Sequence, residues 1–129
     1  MLLEDPFEMV CKTLEEFVYA DTDMSDFNVF RASYEQVQVK LGSKLKEWLI
    51  MRPSSQTIKS KQEEWLKLFD QATDHVLITG AAVIENIDMK KDHAKFSKVF
   101  FNLMQVKKLK KDMPWGFKKA IWLLAVKKR

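Results

Sequence analysis

The chain has 129 residues, 47% of them apolar and 31% charged, with a formal net charge of +4. That length suits a single domain, residues 1–129, burying about two-thirds of its unfolded surface, and the composition excludes a globally disordered chain. The charge is sorted by position: residues 1–35 hold nine acids and two bases, 36–89 seven of each, and 90–129 thirteen bases and two acids.

Only three Gly and three Pro, with abundant Leu, Lys, Glu, Gln and Met, predict an all-α fold. Asp5-Pro6 reads as a helix start, with the carboxylate at the N-cap and proline where its missing N–H costs nothing. Phe7, Val10, Cys11, Leu14, Phe17 and Val18 follow at helical spacing. The segment 21–26 ends this helix and supplies Ser25 or Asp26 as the next cap. Phe30, Tyr34, Val37, Leu41, Leu45 and Trp48 predict a second helix over about 27–51, with Gly42 a point of weakness.

Arg52-Pro53-Ser54-Ser55 is the clearest break, and Ser60 with Glu63 forms a second capping signal. Ile58, Trp65, Phe69, Ala72 and Val76 continue a helical stripe. The β-branched run 76–84 suits a buried strand as well, but a strand there has no partner, so a buried helix kinked at Gly80 is expected. Asp92 caps a further helix with Phe96, Val99, Phe100, Leu103 and Met104 as its buried face, and Asp112-Met113-Pro114 opens a last one. The architecture expected is a compact antiparallel bundle of five to six helices.

Catalytic and metal chemistry find little support. Asp21, Asp23 and Asp26 resemble the start of a calcium loop, but the sixth position is Asp26 instead of glycine and the twelfth is Ala32 instead of glutamate. His75 and His93 form no metal-ligand pair, and no glycine-rich phosphate loop or nucleophile elbow occurs. Cys11 is the only cysteine, which excludes an internal disulfide and fits an intracellular setting, cytoplasm or nucleus. Acids precede the first helix where a secretory signal carries bases, and the apolar runs 76–84 and 120–126 fall short of the roughly 20 residues of a transmembrane segment. No enzyme activity, cofactor or metal is expected.

The basic third is the candidate for function. Lys91, Lys95 and Lys98 form an ordinary solvated helix face. Lys107, Lys108, Lys110 and Lys111 come after the apolar pattern stops near Met104, so this segment either projects beyond the core or has left the helix. The final helix is apolar twice over: Phe117, Ala120, Ile121 and Leu124 on one face, Trp115, Trp122 and Val126 on the other, flanked by Lys118 and Lys119. Interior burial is the ordinary fate of tryptophan; a partner protein, a second copy or a membrane surface would also cover that face.

These residues, with Lys127, Lys128 and Arg129, predict a non-enzymatic protein that docks an anionic partner, with lysines on phosphates and Trp115 or Trp122 stacked on an unpaired base. The partner expected is nucleic acid, RNA or single-stranded DNA, held without strong sequence preference, since arginine occurs only at 31, 52 and 129. The alternative is a protein–protein adaptor, binding an acidic protein surface or its own copy through the tryptophan face, or lying on a membrane. A competing use of the charge is internal, the acidic first helix packing over the basic last one.

Overall fold

The computed structural model describes residues 5–21 and 26–127, and in these the chain forms four α-helices and no strand. They are α1 (Pro6–Val18), α2 (Phe27–Ile50), α3 (Ile58–Glu85) and α4 (His93–Lys127). Their starts are set by side-chain oxygens that accept otherwise orphaned backbone N–H groups. Asp5 Oδ1 accepts from the Phe7 N–H at 2.8 Å, and Asp26 Oδ1 accepts from the Asn28 N–H at 2.8 Å. Ahead of α3 the cap is Thr57, whose Oγ1 accepts from the Ser60 N–H at 3.1 Å, so neither the serines at 54–55 nor Ser60 performs that task.

The expected five to six helices become four among the described residues. The β-branched run 76–84 is helical, as expected, and continuous with the stripe before it, so α3 passes through Gly80 and no separate helix forms there. There α4 comes close enough that a Cβ on Gly80 would stand 2.5 Å from Leu103 Cδ2. The glycine therefore serves close helix packing.

Pro114 lies inside α4, where a new helix was expected to begin. Proline leaves the Lys110 carbonyl without its i+4 donor, but the apolar stripe runs unbroken past it. Val99, Leu103, Val106, Leu109, Phe117 and Ile121 are all buried, each worth about 1.5–3 kcal/mol of transfer free energy. Val106 and Leu109 also correct the expectation that the pattern stops near Met104: the segment 107–111 remains helical, with Leu109 buried in the core.

Consecutive helices run antiparallel, so α2 and α4 are parallel. Glu16 meets Lys40 and Phe17 meets Tyr34 between α1 and α2, while Trp48 meets Trp65 between α2 and α3. Gly80–Leu103, Asp74–Lys110 and Phe69–Phe117 mark the long seam of α3 on α4.

With 13 residues α1 spans only about 20 Å, against about 52 Å for the 35 residues of α4. Four helices therefore surround one half of the core, rich in Val10, Leu14, Val18, Leu41 and Val76. Three surround the other half, where Trp48, Trp65, Phe69 and Phe117 fill the space with edge-to-face and tilted rings. Buried Asn102 ties the two ends of the sequence together, its Nδ2 donating to the Val18 carbonyl at 3.0 Å.

Candidate functional site

Because α4 is continuous, every candidate residue from 107 to 126 has a fixed place around one axis, with successive positions about 100° apart. The stripe Val99–Leu103–Val106–Leu109–Phe117–Ile121 takes the inner side. Opposite it stand Lys108, Lys111, Trp115, Lys119, Trp122 and Val126, at intervals of three or four. Lys107 and Lys118 flank this face and are exposed as well.

Trp115 is 71% and Trp122 53% exposed, so the bundle interior covers neither of them. The second apolar face of the C-terminal segment points to solvent. Phe117 and Ile121 on the first face are buried and Ala120 and Leu124 partly so, as their spacing requires.

The lysines divide into two groups. Lys110 turns about 100° away from Lys111, toward α3. Its Nζ lies 2.5 Å from Asp74 Oδ1 and 3.4 Å from Asp70 Oδ1. The hydrogen bond to Asp74, aided by the charge of Asp70, raises its pKa above the ordinary lysine value despite some desolvation. Lys110 thus joins α3 to α4 and is occupied.

Among the described residues, no carboxylate lies within 4 Å of the ammonium of Lys107, Lys108, Lys111, Lys118 or Lys119. Two of these five rest on aromatic rings instead. Lys108 Nζ is 5.4 Å from the centroid of Tyr34, and Lys119 Nζ is 5.4 Å from that of Trp115. The side chain of Lys127, together with Lys128 and Arg129, lies outside the described residues.

Among the described residues the acidic first third meets the basic third through one ion pair, Asp21 with Lys98 at 3.8 Å near the opposite end of α4, while Glu16 pairs with Lys40 of α2. Neither a family model, nor a curated protein, nor a solved structure matches the chain. The geometry of α4 therefore stands on its own.

Other candidates resolve into structural roles. Cys11 is buried on α1, and burial, with the charges of Glu15, Asp5 and Glu8, pushes its thiol up to about 11, which makes it a poor nucleophile. His75 sets its ring edgewise to Phe7 at 5.8 Å. Asp26 caps α2. No three His, Cys, Asp or Glu side chains among the described residues converge on a metal-sized space, and no helix is long and apolar enough to cross a membrane.

One surface residue escaped the sequence reading. Phe100 was expected in the core with Val99 and Leu103, yet it is 47% exposed, its ring stacked on Phe96 at 6.2 Å and 6°. Five residues cannot define a stripe to better than one neighbour. Following the stripe from Val99 to Ile121 shifts its centre away from Phe100 and toward Asn102 and Val106.

Proposed function

We propose that the outward face of α4 binds nucleic acid, RNA or single-stranded DNA, without strong sequence preference, and that the protein acts by binding and not by catalysis, in the cytoplasm or nucleus. The observation that carries this reading is the conjunction on one helix face of five lysines without carboxylate partners among the described residues and two exposed tryptophans. Lysines along a strand neutralise phosphates and release counterions, while an exposed indole gains about 1–3 kcal/mol by stacking on a base. A duplex keeps its bases stacked on one another, so tryptophan favours an unpaired strand.

Base-specific readout has little to work with. Arg31 is engaged with Glu35 of its own helix, and Arg52 with Glu64 and the Trp48 ring, both on other elements. A two-fold pairing of α4 with a second copy would set lysines against lysines, which disfavours that use of the face.

Fluorescence anisotropy with labelled U12 RNA and dT12 tests the reading. Affinity should fall steeply between 50 and 200 mM salt, with a log–log slope of about −0.7 for each phosphate neutralised. Replacing Lys107, Lys108, Lys111 and Lys118 by Ala should flatten that slope by nearly three, and Trp122→Ala should weaken binding at every salt concentration with an unchanged helical circular dichroism spectrum. No binding at 50 mM salt overturns the proposal. Binding to phosphatidylserine vesicles in preference to both oligonucleotides would instead assign the face to a membrane surface.

A further inference from the structure

We infer that the strand lies along the length of α4 and that Phe100 is a third stacking residue at the far end of its track, an extension that rests on the function proposed above. Continuity of α4 through Pro114 puts Phe100, Lys107, Lys111, Trp115, Lys118 and Trp122 in one lane, since their separations all fall near whole numbers of helical turns. No acid occurs in this lane; Asp112, the one acid of α4, stands to its side near Tyr34, whose pKa it helps to raise. Aromatic platforms thus stand at both ends and cations between them, an order complementary to a polymer of bases and phosphates.

Phe100 is suited to the part. Its ring is parallel to that of Phe96, with 6.2 Å between centroids, and close to half of the residue is open. Its neighbour Phe101 is engaged differently, with its ring set edgewise to Phe30 of α2 at 5.1 Å. A base on Phe100 would extend a stack that the protein has already begun.

The geometry sets a footprint. Trp115 and Trp122 alone span about 10 Å, enough for three or four nucleotides at the roughly 3.4 Å rise of a strand in a stacked helix. From Phe100 to Trp122 the span is about 33 Å, at most roughly ten nucleotides at that rise and fewer for a strand whose bases are unstacked onto the rings.

Titrations of dT4, dT7, dT10 and dT14 against the wild type, Phe100→Ala and Trp122→Ala decide the matter. Wild-type affinity should climb beyond dT4 and level off by dT10, and both variants should bind dT10 about tenfold more weakly, the effect of one lost stack. Because Phe100 is a surface residue, its variant should keep the wild-type thermal midpoint within a few degrees. A plateau already at dT4, or a Phe100→Ala protein that binds dT10 like the wild type while Trp122→Ala does not, overturns the extended track and leaves the binding function standing. A wild type that binds none of the four removes the function itself, and the track with it.

Discussion

Replacing Gly80 by alanine sets two terms of opposite sign against each other, and the structure decides between them. Alanine is favoured over glycine inside a helix by about 1 kcal/mol. At this position, however, the new Cβ would lie 2.5 Å from Leu103 Cδ2 and 2.8 Å from Cδ1. Ordinary carbon contacts are about 3.5–4.0 Å, so Leu103 would have to retreat by about 1 Å. It is buried at 3% exposure, so the adjustment falls on its side-chain end within the α3–α4 seam. Overpacking of this kind costs about 1–3 kcal/mol, which leaves a net loss of about 1 kcal/mol, or about 4 °C in the thermal midpoint.

Gly42 is the internal control, because nothing lies within 4 Å of a Cβ placed there. Gly42→Ala should therefore stabilise by about 0.5–1 kcal/mol, the propensity term alone. Urea unfolding followed by circular dichroism measures both. Combined with Leu103→Ala, the Gly80 substitution should lose most of its penalty, so the pair should be clearly non-additive. If Gly80→Ala stabilises the protein as Gly42→Ala does, the close approach of α3 and α4 is wrong.

Trp65→Ala should cost about 3–5 kcal/mol because it empties the three-helix end of the core, whereas Trp115→Ala should stay within about 0.5 kcal/mol of the wild type, both read from urea midpoints. Lys110→Ala should weaken the α3–α4 seam by no more than about 1 kcal/mol, since the ion pairs are partly exposed, and less in 1 M salt. The raised pKa of Lys110 means that its contribution is complete below the ordinary lysine value of 10.5 and is lost as pH rises through the folded-state value. Cys11 acts earlier: the unfolded thiol ionises near 9.0 and the folded one near 11, so stability should begin to fall above pH 9. Between pH 9 and 10 that fall should be absent in Cys11→Ala, whereas Tyr19 and Tyr34, raised above 10.0, add theirs only at higher pH.

Short-range signals in the sequence identified the cap Asp5, narrowed the next cap to Ser25 or Asp26, and placed the inward residues of α1 and α2, since each depends on neighbours within a turn or two. Features that depend on another helix were not legible. The run 76–84 reads as helix for want of a partner strand, yet the role of Gly80 within it depends on Leu103 of α4. Asp112-Met113-Pro114 has the form of a helix start, and only the burial of Phe117 and Ile121 in line with Val106 and Leu109 makes it an interior segment. Lys110 could not be told from Lys111 until Asp70 and Asp74 were placed beside it. In the candidate site, the tryptophans were visible as a face without an owner, and their exposure required knowing which side of α4 the other helices occupy.

The seam of α3 on α4 bears on the order in which the protein assembles. α3 and α4 are sequence neighbours that zip along a common seam, whereas α2 packs chiefly on α1 and meets α3 mainly at its end, where Trp48 touches Trp65. The contacts of α1 with that seam close long loops, with Cys11 meeting Ala72 across 61 residues and Val18 meeting Asn102 across 84. Closing such loops costs entropy that is offset only when the contacts are complete. α1 and α2 should therefore dock together, late, onto a pair formed by α3 and α4, and release together early in unfolding. Native-state hydrogen exchange would then show the amides of α1 and α2 exchanging at a common free energy below that of the α3–α4 seam; equal protection throughout would make the bundle a single cooperative unit.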